Sequence, residues 1–438
     1  MWRLRATSVL KQSIQVVNIS SFGYSDSTMA CNAQRIRAHR FFYRLLQLTL
    51  GTWLRLRFNI HTRNRHLLHS VNPPYLILPN HAGYWDPFML ATFAPRPVYF
   101  LTADTNFRTP LLRRLLGMVG AIPKSKGISD LEAVRQLLRL RDRGEIISLF
   151  AEGERTWDGG PLQIMPATAK LVRLLGIPVV TAVFDGGHVS HPRWARHPRR
   201  GRLTIEFRLT FEAEELRSLT LPQIEQRLTS AIGHDDWATQ QRHLQRFCGR
   251  RRAETLEHVL HVCPSCHGVG RLRSRDTLLF CTACGYRVGV DHRGLLQPQW
   301  PADPAPPPTV RQWNLWQQPL FRCWVEQRRL DPARPLLGPV VVRGGVGYRS
   351  RRLRPLAPGT LQLNNDRLLF RPSAVARTDS QQPAPISFDL SRLEGLNVQL
   401  SAQLEFYYCG KLYSFVPQRR SVSFHMWRNA IRVLQESV

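Results

Sequence analysis

The chain has 438 residues, 43% of them hydrophobic, enough for two or three domains with sizeable cores rather than one ordinary domain. Its 61 Lys+Arg against 31 Asp+Glu leave a net charge of +30, which favours an anionic partner, either nucleic acid or an acidic bilayer surface. No stretch reaches the roughly 18 apolar residues of a spanning helix, and four of the eight cysteines are scattered, as in a reducing compartment rather than a disulfide scaffold.

The start, "MWRLRATSVLKQSIQVV", is basic, but Lys11, Gln12 and Gln15 interrupt any apolar run and no cleavage site follows. Residues 1–37 are read as a tail without fixed structure, with Met29 an alternative start. Residues 38–53, "AHRFFYRLLQLTLGTW", predict an amphipathic helix. Arg40, Arg44, Gln47 and Gly51 form one stripe, and Phe42, Leu45, Leu46, Leu50 and Trp53 the other. Such a helix either packs on its own domain or lies in a bilayer interface. The alternation in "LRLRFNI" predicts a strand to follow.

"PYLILPN" predicts a buried strand that delivers the segment "PNHAGYWDPFML", residues 79–90, to a loop or helix start. An imidazole takes a proton well near neutral pH, and a carboxylate bonded to its other nitrogen fixes its tautomer. His81 and Asp86 form such a pair if the chain turns between them; the competing role for Asp86 is a helix cap. With no Ser or Cys beside them, the nucleophile is a hydroxyl of the substrate.

Further along, "GAIPKSKG" contributes Lys124 and Lys126, and "SDLEAVRQLLRLRDR" predicts a helix over 129–143 capped by Ser129. "GEIISLFAEG" reads as strand into loop. It opens "LFAEGERTWDGG", a Gly-containing turn whose amides and Arg155 suit a phosphate. "MPATAKLVRLLG" predicts a helix ended by Gly176, and "IPVVTAVF" another buried strand. Strands and helices alternating in this way predict an α/β domain over residues 38–255.

Four short blocks, "NHAGYWD", "GAIPKSKG", "FAEGER" and "GIPVV", resemble in order and spacing those of the glycerophospholipid acyltransferases, which include the lysophosphatidate acyltransferases. The resemblance covers about residues 40–215 and implies a mixed sheet flanked by helices. It implies acyl transfer from acyl-CoA or acyl carrier protein to a lysophospholipid hydroxyl. His81 is then the general base, oriented by Asp86. Asn80, Glu152, Gly153 and Arg155 belong to the acceptor site, with Lys124 or Lys126 gripping phosphate and Pro178 lining the fold. The third block departs from the family's usual Phe-Pro-Glu-Gly-Thr-Arg: Ala151 replaces the proline and Glu154 the threonine. At ~6 Å and an effective dielectric near 20, Glu154 would repel an acceptor phosphate by about 3 kcal/mol. Glu154 is therefore expected to point to solvent, or the acceptor to differ from lysophosphatidate.

"CPSCHGVGRLRSRDTLLFCTACGY" places Cys263, Cys266, Cys281 and Cys284 in two Cys-x-x-Cys knuckles, the pattern of a closed structural zinc ribbon over residues 256–295. His261 and His267 are read as ordinary surface residues. Arg271, Arg273 and Arg275 between the knuckles raise a rival reading, a nucleic-acid-binding protein, but no aromatic residues interleave with them for stacking. Residues 296–335 read as a Pro/Trp-rich linker, in which Pro319 breaks a helix. Residues 336–438 read as a β-rich domain closed by a Trp427-bearing helix, similar in element order to pleckstrin-homology or GRAM-type domains. The whole predicts an enzyme peripheral to the cytoplasmic face of an anionic membrane, with structural Zn²⁺ and no nucleic acid. An inactive, lipid-binding scaffold is the second alternative.

Overall fold

A computed structural model describes residues 39–124, 130–299, 303–373, 384–400 and 402–436. The tail 1–37, Met29, Lys126 and Ser129 lie outside them.

The first layer is a seven-stranded sheet made of β1 (Ile60–Arg63), β2 (Tyr75–Pro79), β3 (Val98–Ala103), β4 (Ile122–Lys124), β5 (Ile146–Ser148), β6 (Val179–Asp185) and β7 (Leu203–Phe211). Its order is β1-β7-β6-β2-β5-β3-β4. Strands β6, β2, β5, β3 and β4 are mutually parallel, while β7 runs antiparallel to β6 and carries β1 parallel to itself. The mixed sheet expected from the sequence is therefore present. Every residue of β2 is buried, because helices cover both faces of the sheet. The carboxyl ends of the parallel strands all open on one edge, where open α/β sheets place their sites.

The helix Leu131–Asp142 begins at Asp130, whose side chain accepts from the Ala133 amide. Gly176 ends the helix Pro166–Leu175 in the left-handed conformation, as expected. Most of the predicted strand "LRLRFNI" is instead helix, and only Ile60 begins β1. Arg40–Leu46 passes through a π-helical turn, Gln47–Gly51, into Thr52–Phe58, which Asn59 ends at φ 45°. Leu54 and Phe58, four apart, are both buried while Leu56 between them is exposed, so helical rather than alternating burial satisfies this stretch.

The contacts of that helix settle which of its sides meets the domain. Tyr43 and Gln47 face the domain: the Tyr43 hydroxyl donates to the Ala91 carbonyl, and Gln47 Nε2 donates to those of Ala91 and Ala94. Gly51 abuts Thr92 so closely that a Cβ would lie 2.8 Å from its Cγ2. The outward side is apolar, with Phe41 74%, Leu48 73% and Leu56 69% exposed.

The cysteine module is a four-stranded antiparallel sheet: β8 (Leu272–Arg275), β9 (Leu278–Cys281), β10 (Arg287–Val290) and β11 (Leu296–Gln299). The stretch read as a linker folds. It supplies β11 and the 20-residue helix Val310–Arg329, which continues through Pro319. Trp313, Gln317, Phe321 and Val325 bury one face of that helix on both sides of the proline. Pro319 sits on the exposed face, so the Leu315 carbonyl that loses its helical partner turns towards water.

The last domain pairs β12 (Leu337–Gly347), β13 (Arg354–Pro355), β14 (Gly359–Leu363), β15 (Arg367–Pro372), β16 (Ile386–Asp389), β17 (Glu394–Gln399), β18 (Gln403–Tyr408) and β19 (Lys411–Pro417) into one antiparallel sheet. The helix Phe424–Glu436 closes it with Trp427, Ile431 and Leu434 buried. One core runs from this domain through the cysteine module to Trp157, Trp194 and Trp237 of the α/β domain.

Candidate active site

His81 leaves the end of β2, and its Nδ1 lies 3.0 Å from Asp86 Oδ2. The same oxygen accepts the amides of Ala82 and Gly83, each at 2.8 Å. Asp86 is the first residue of the helix Asp86–Phe93, with Pro87 next, so its charge also sits at a favourable helix end. The sequence poses helix cap and histidine partner as alternatives; the helix carries no side-chain cap, and Asp86 instead gathers His81 with the amides of the loop before the helix. Burial pushes the Asp86 carboxyl up to about 7, against the pull of the Gly83 and Ala82 amides. The His81 ring stacks on Phe150, with centroids 3.9 Å apart.

Two neighbours fix the His81 backbone. Asn80 Oδ1 accepts the Phe184 amide at 2.7 Å, tying the end of β2 to β6. Glu152 Oε2 accepts the His81 amide at 2.6 Å, and its Oε1 accepts that of Leu162 at 3.1 Å. Burial raises the Glu152 carboxyl to about 7, again against its amide partners. Asn80 and Glu152 thus act on the loop rather than facing outward.

Gly153 holds φ +70°, and a Cβ there would stand 2.6 Å from Met165 Sδ. Only glycine enters this turn without strain. Glu154, expected to face solvent, is instead clamped: its carboxylate lies 2.9 Å from Arg193 Nη1 and 2.8 Å from Arg428 Nη1, and both arginines are buried. Arg155 Nη2 reaches the Leu400 carbonyl at 3.4 Å, and its guanidinium lies 5.9 Å from the Tyr84 ring centroid. Lys124 is the last residue of β4, three strands from β2. At about 4.8 Å per strand it stands ~14 Å away, on the same sheet edge.

Behind this edge, Asp236 accepts the Gly186 amide at 2.8 Å and the His188 amide at 2.6 Å, and His234 Nε2 sits 3.0 Å from Asp236 and 3.1 Å from Asp185. Burial opposes charge on His234, but the two carboxylates prevail and lift it to about 10. His188 is fully buried, neither of its ring nitrogens is hydrogen-bonded among the described residues, and burial lowers it to about 4. The sequence reading missed this group, and missed Arg193 and Arg428, because each gains meaning only from a partner distant in the chain.

The family model described as Acyltransferase matches residues 58–185. This region is an acyltransferase domain. The resemblance carried by the four sequence blocks is borne out at the level of the family. Among solved structures the chain is similar to the 1-acyl-sn-glycerophosphate acyltransferase PlsC of Thermotoga maritima, at 12% identity, over 45% of this chain and 78% of that one, with a TM-score of 0.39. His81, Asp86, Glu152 and Arg155 all fall within the matched acyltransferase region.

Cys263, Cys266, Cys281 and Cys284 bring their sulfurs within 4.8 Å of one another. The Cys263–Cys284 and Cys266–Cys281 pairs are 3.7 Å apart. A tetrahedron with metal–sulfur bonds of about 2.3 Å has edges of about 3.8 Å, whereas a disulfide needs about 2.05 Å. The cluster therefore fits a closed four-thiolate metal centre. His267 is exposed as expected, but His261 is not a surface residue. It is buried, its ring 5.0 Å from that of Phe321.

Proposed function

We propose that this protein moves a fatty acyl group from a thioester donor, acyl-CoA or acyl carrier protein, to a hydroxyl of a lysophospholipid. The observation that carries the reading is the His81–Asp86 contact on the carboxyl edge of the sheet, inside the acyltransferase domain. Asp86 engages Nδ1 and so leaves Nε2 as the basic nitrogen, which takes the acceptor's hydroxyl proton. The resulting oxygen nucleophile attacks the thioester carbonyl, the C–O bond forms and the C–S bond breaks. The departing thiolate recovers the proton from His81.

The phosphate of a lysophosphatidate-like acceptor falls to Arg155, with Lys124 or Lys126 as the second cation. Glu154 no longer argues against that acceptor. Arg193 and Arg428 both pair with it and offset its charge, and Arg155 makes its bond to the Leu400 carbonyl instead. Asn80, Glu152 and Gly153 shape the acceptor site by holding the loops that bear His81 and Arg155.

Among the described residues no helix is long and apolar enough to cross a membrane. The reading places the protein on the cytoplasmic face of an anionic leaflet, docked by the N-terminal helix. That helix turns Phe41, Leu45, Leu48, Trp53 and Leu56 outward, among Arg40, Arg44 and Arg55. The His39 amide bonds the Met118 carbonyl at 2.7 Å, which brings the exposed Leu111, Leu112 and Leu115 of the helix Pro110–Met118 alongside. Aromatic and leucine side chains framed by arginines suit a headgroup interface. The four thiolates are assigned to structural Zn²⁺. With four sulfur ligands the ion has no open position for substrate.

The test is acyl transfer from labelled acyl-CoA and acyl carrier protein to glycerol 3-phosphate, lysophosphatidate and uncharged lysolipids. Transfer to lysophosphatidate that drops by about 10²–10⁴-fold in His81→Ala is expected. No transfer to any acceptor by folded, zinc-loaded protein would end the enzymatic reading.

A further inference from the structure

The turn that bears Arg155 is held from the far end of the chain. Glu154, one residue before Arg155, bonds Arg428 through both carboxylate oxygens, at 3.1 Å and 2.8 Å, across 274 positions of sequence. Arg428 belongs to the closing helix Phe424–Glu436 and is 4% exposed. Arg193 completes the clamp. Its Nη1 donates to Glu154 and to the Arg155 carbonyl, each at 2.9 Å, and its Nε donates to the Leu400 carbonyl at 3.3 Å. Its Nη2 donates to the Val398 carbonyl, and its guanidinium lies 4.3 Å from the Trp157 ring centroid. On that ring's other contact stands His425, three residues before Arg428, at 4.3 Å between centroids. Arg155 itself reaches the Leu400 carbonyl at the end of β17. Arg193 joins the acceptor turn from within the acyltransferase domain, and the links to Arg428, Val398, Leu400 and His425 tie both to the C-terminal domain.

Two buried guanidiniums are costly unless paired, so this carboxylate is a requirement of the interface and not a decoration of the turn. Its position in the turn matters more. Gly153 before it holds a left-handed φ of +70° and Arg155 after it must present its charge in one direction. Glu154 is the point at which an external element can fix both.

We propose that Arg428 is a positioning residue for acceptor binding, acting through Glu154 on the turn that carries Arg155. The C-terminal domain thereby forms part of the acceptor site. This rests on the acyltransferase reading above and adds to it a second domain without which the acceptor's anionic headgroup is poorly held. Glu154 then replaces the family's usual threonine because a carboxylate is what two arginines from outside the loop can grip.

The experiment compares full-length, zinc-loaded wild type with Arg428→Met, Arg428→Lys and Glu154→Gln. Two readouts are taken: KM for lysophosphatidate and for acyl donor, and amide hydrogen exchange. Loss of charge-assisted bonds to the turn is expected to raise the acceptor KM by about 10- to 100-fold in Arg428→Met and Glu154→Gln, with donor KM little changed. The double variant of Arg428→Met with Glu154→Gln should be no worse than Glu154→Gln alone, since that substitution already breaks the Arg428 link together with the Arg193 one. Arg428→Lys, which keeps the charge, should restore much of the affinity. Exchange should rise at residues 152–156 in Arg428→Met while β12–β19 stay protected.

An unchanged acceptor KM in Arg428→Met overturns the proposal. So does an equal rise in both KM values with exchange spread over the whole C-terminal sheet, which marks general destabilisation. Wild type without transfer to any acceptor fails the acyltransferase reading itself and removes the acceptor role with it. Unchanged exchange at 152–156 overturns the positioning link whether or not transfer is seen.

Discussion

Two turns leave the same edge of the sheet, and they are built on opposite plans. After β2, one carboxylate oxygen of Asp86 gathers His81, Ala82 and Gly83, all within five residues. After β5, Glu152 reaches back 71 positions to the His81 amide, and Glu154 reaches forward 274 to Arg428. The first turn is self-contained and forms whenever its strand and helix form. The second closes one local turn, with the Gly153 amide on the Phe150 carbonyl at 3.0 Å, but its two carboxylates are placed only when His81, Arg193 and Arg428 arrive. In the proposed function, the turn assigned to the chemistry is built locally, while the turn assigned to the acceptor is fixed from elsewhere in the chain.

The sharpest way to break this comparison is Asp86→Asn. Local construction predicts a loss of about 10²–10⁴-fold in kcat/KM, because the amide keeps the shape and no longer steadies a charged imidazole. The fold should survive, since the amide's oxygen still accepts the Ala82 and Gly83 amides. In wild type, kcat/KM should fall as pH drops through about 7, where Asp86 and Glu152 take up protons as a coupled pair. Stability runs the other way. Both carboxyls are raised in the folded state, so the folded chain binds more protons than the unfolded one from about 4 up to about 7. Their contribution to stability is full below the unfolded values and is lost as pH rises through 7. Asp86→Asn should therefore be inactive at pH 8 yet no less stable there than wild type, as thermal melts across pH 5–8 would show. An Asn variant that melts far below wild type at pH 8 sinks the claim that the turn is self-contained.

The long-range plan is tested where it does not touch the chemistry. Arg108, just before the helix Pro110–Met118, donates from Nη1 to Glu405 of β18 at 2.6 Å, and both side chains are largely buried. Removing one partner of such a pair leaves the other charge stranded, at a cost of about 3–5 kcal/mol. Arg108→Ala is expected to lower stability by that amount in chemical denaturation. The double variant Arg108→Met with Glu405→Leu should recover most of it. A loss under 1 kcal/mol for Arg108→Ala would mean that the C-terminal domain is held mainly by the apolar core and not by these ionic links.

The same contrast decides what the sequence reveals. His81 and Asp86 are readable because five residues and a preceding apolar run contain the whole arrangement. The four cysteines are readable for the same reason, since two knuckles bring their own geometry. The N-terminal helix was only half readable. Leu54, Leu56 and Phe58 alternate like a strand, and only the surface they pack on shows that Leu54 and Phe58 share a helical face. Whether its apolar side packs on the domain or faces outward was left open, because periodicity reports that two faces differ and not which of them meets the protein. The linker reading failed at Pro319, where the burial of Trp313, Gln317, Phe321 and Val325 on both sides of the proline outweighs its penalty. Glu154 was judged against a phosphate alone, since neither Arg193 nor Arg428 carries any local signal of pairing with it. Buried His261 and the unpartnered His188 are likewise products of packing between distant segments.

The smallest effect is expected where both plans meet, at Gly153. Its φ of +70° is a conformation that side chains other than glycine adopt at a cost of roughly 1–2 kcal/mol. A Cβ would also approach Met165 Sδ, but a methionine end is flexible and can swing aside. Gly153→Ala should therefore cost about 1–2 kcal/mol and leave the fold intact, with Tm falling by a few degrees. If the clamp on Glu154 fixes the turn, most of that strain is absorbed and the acceptor KM rises only a few-fold. In an Arg428→Met background only Arg193 still holds Glu154, and the alanine relaxes more readily into an ordinary conformation that carries Arg155 with it. The acceptor KM of the pair should then exceed the product of the two single effects. Simple multiplication of the two effects would show that Gly153 and Arg428 act on the turn independently, and that its shape is set within the loop after all.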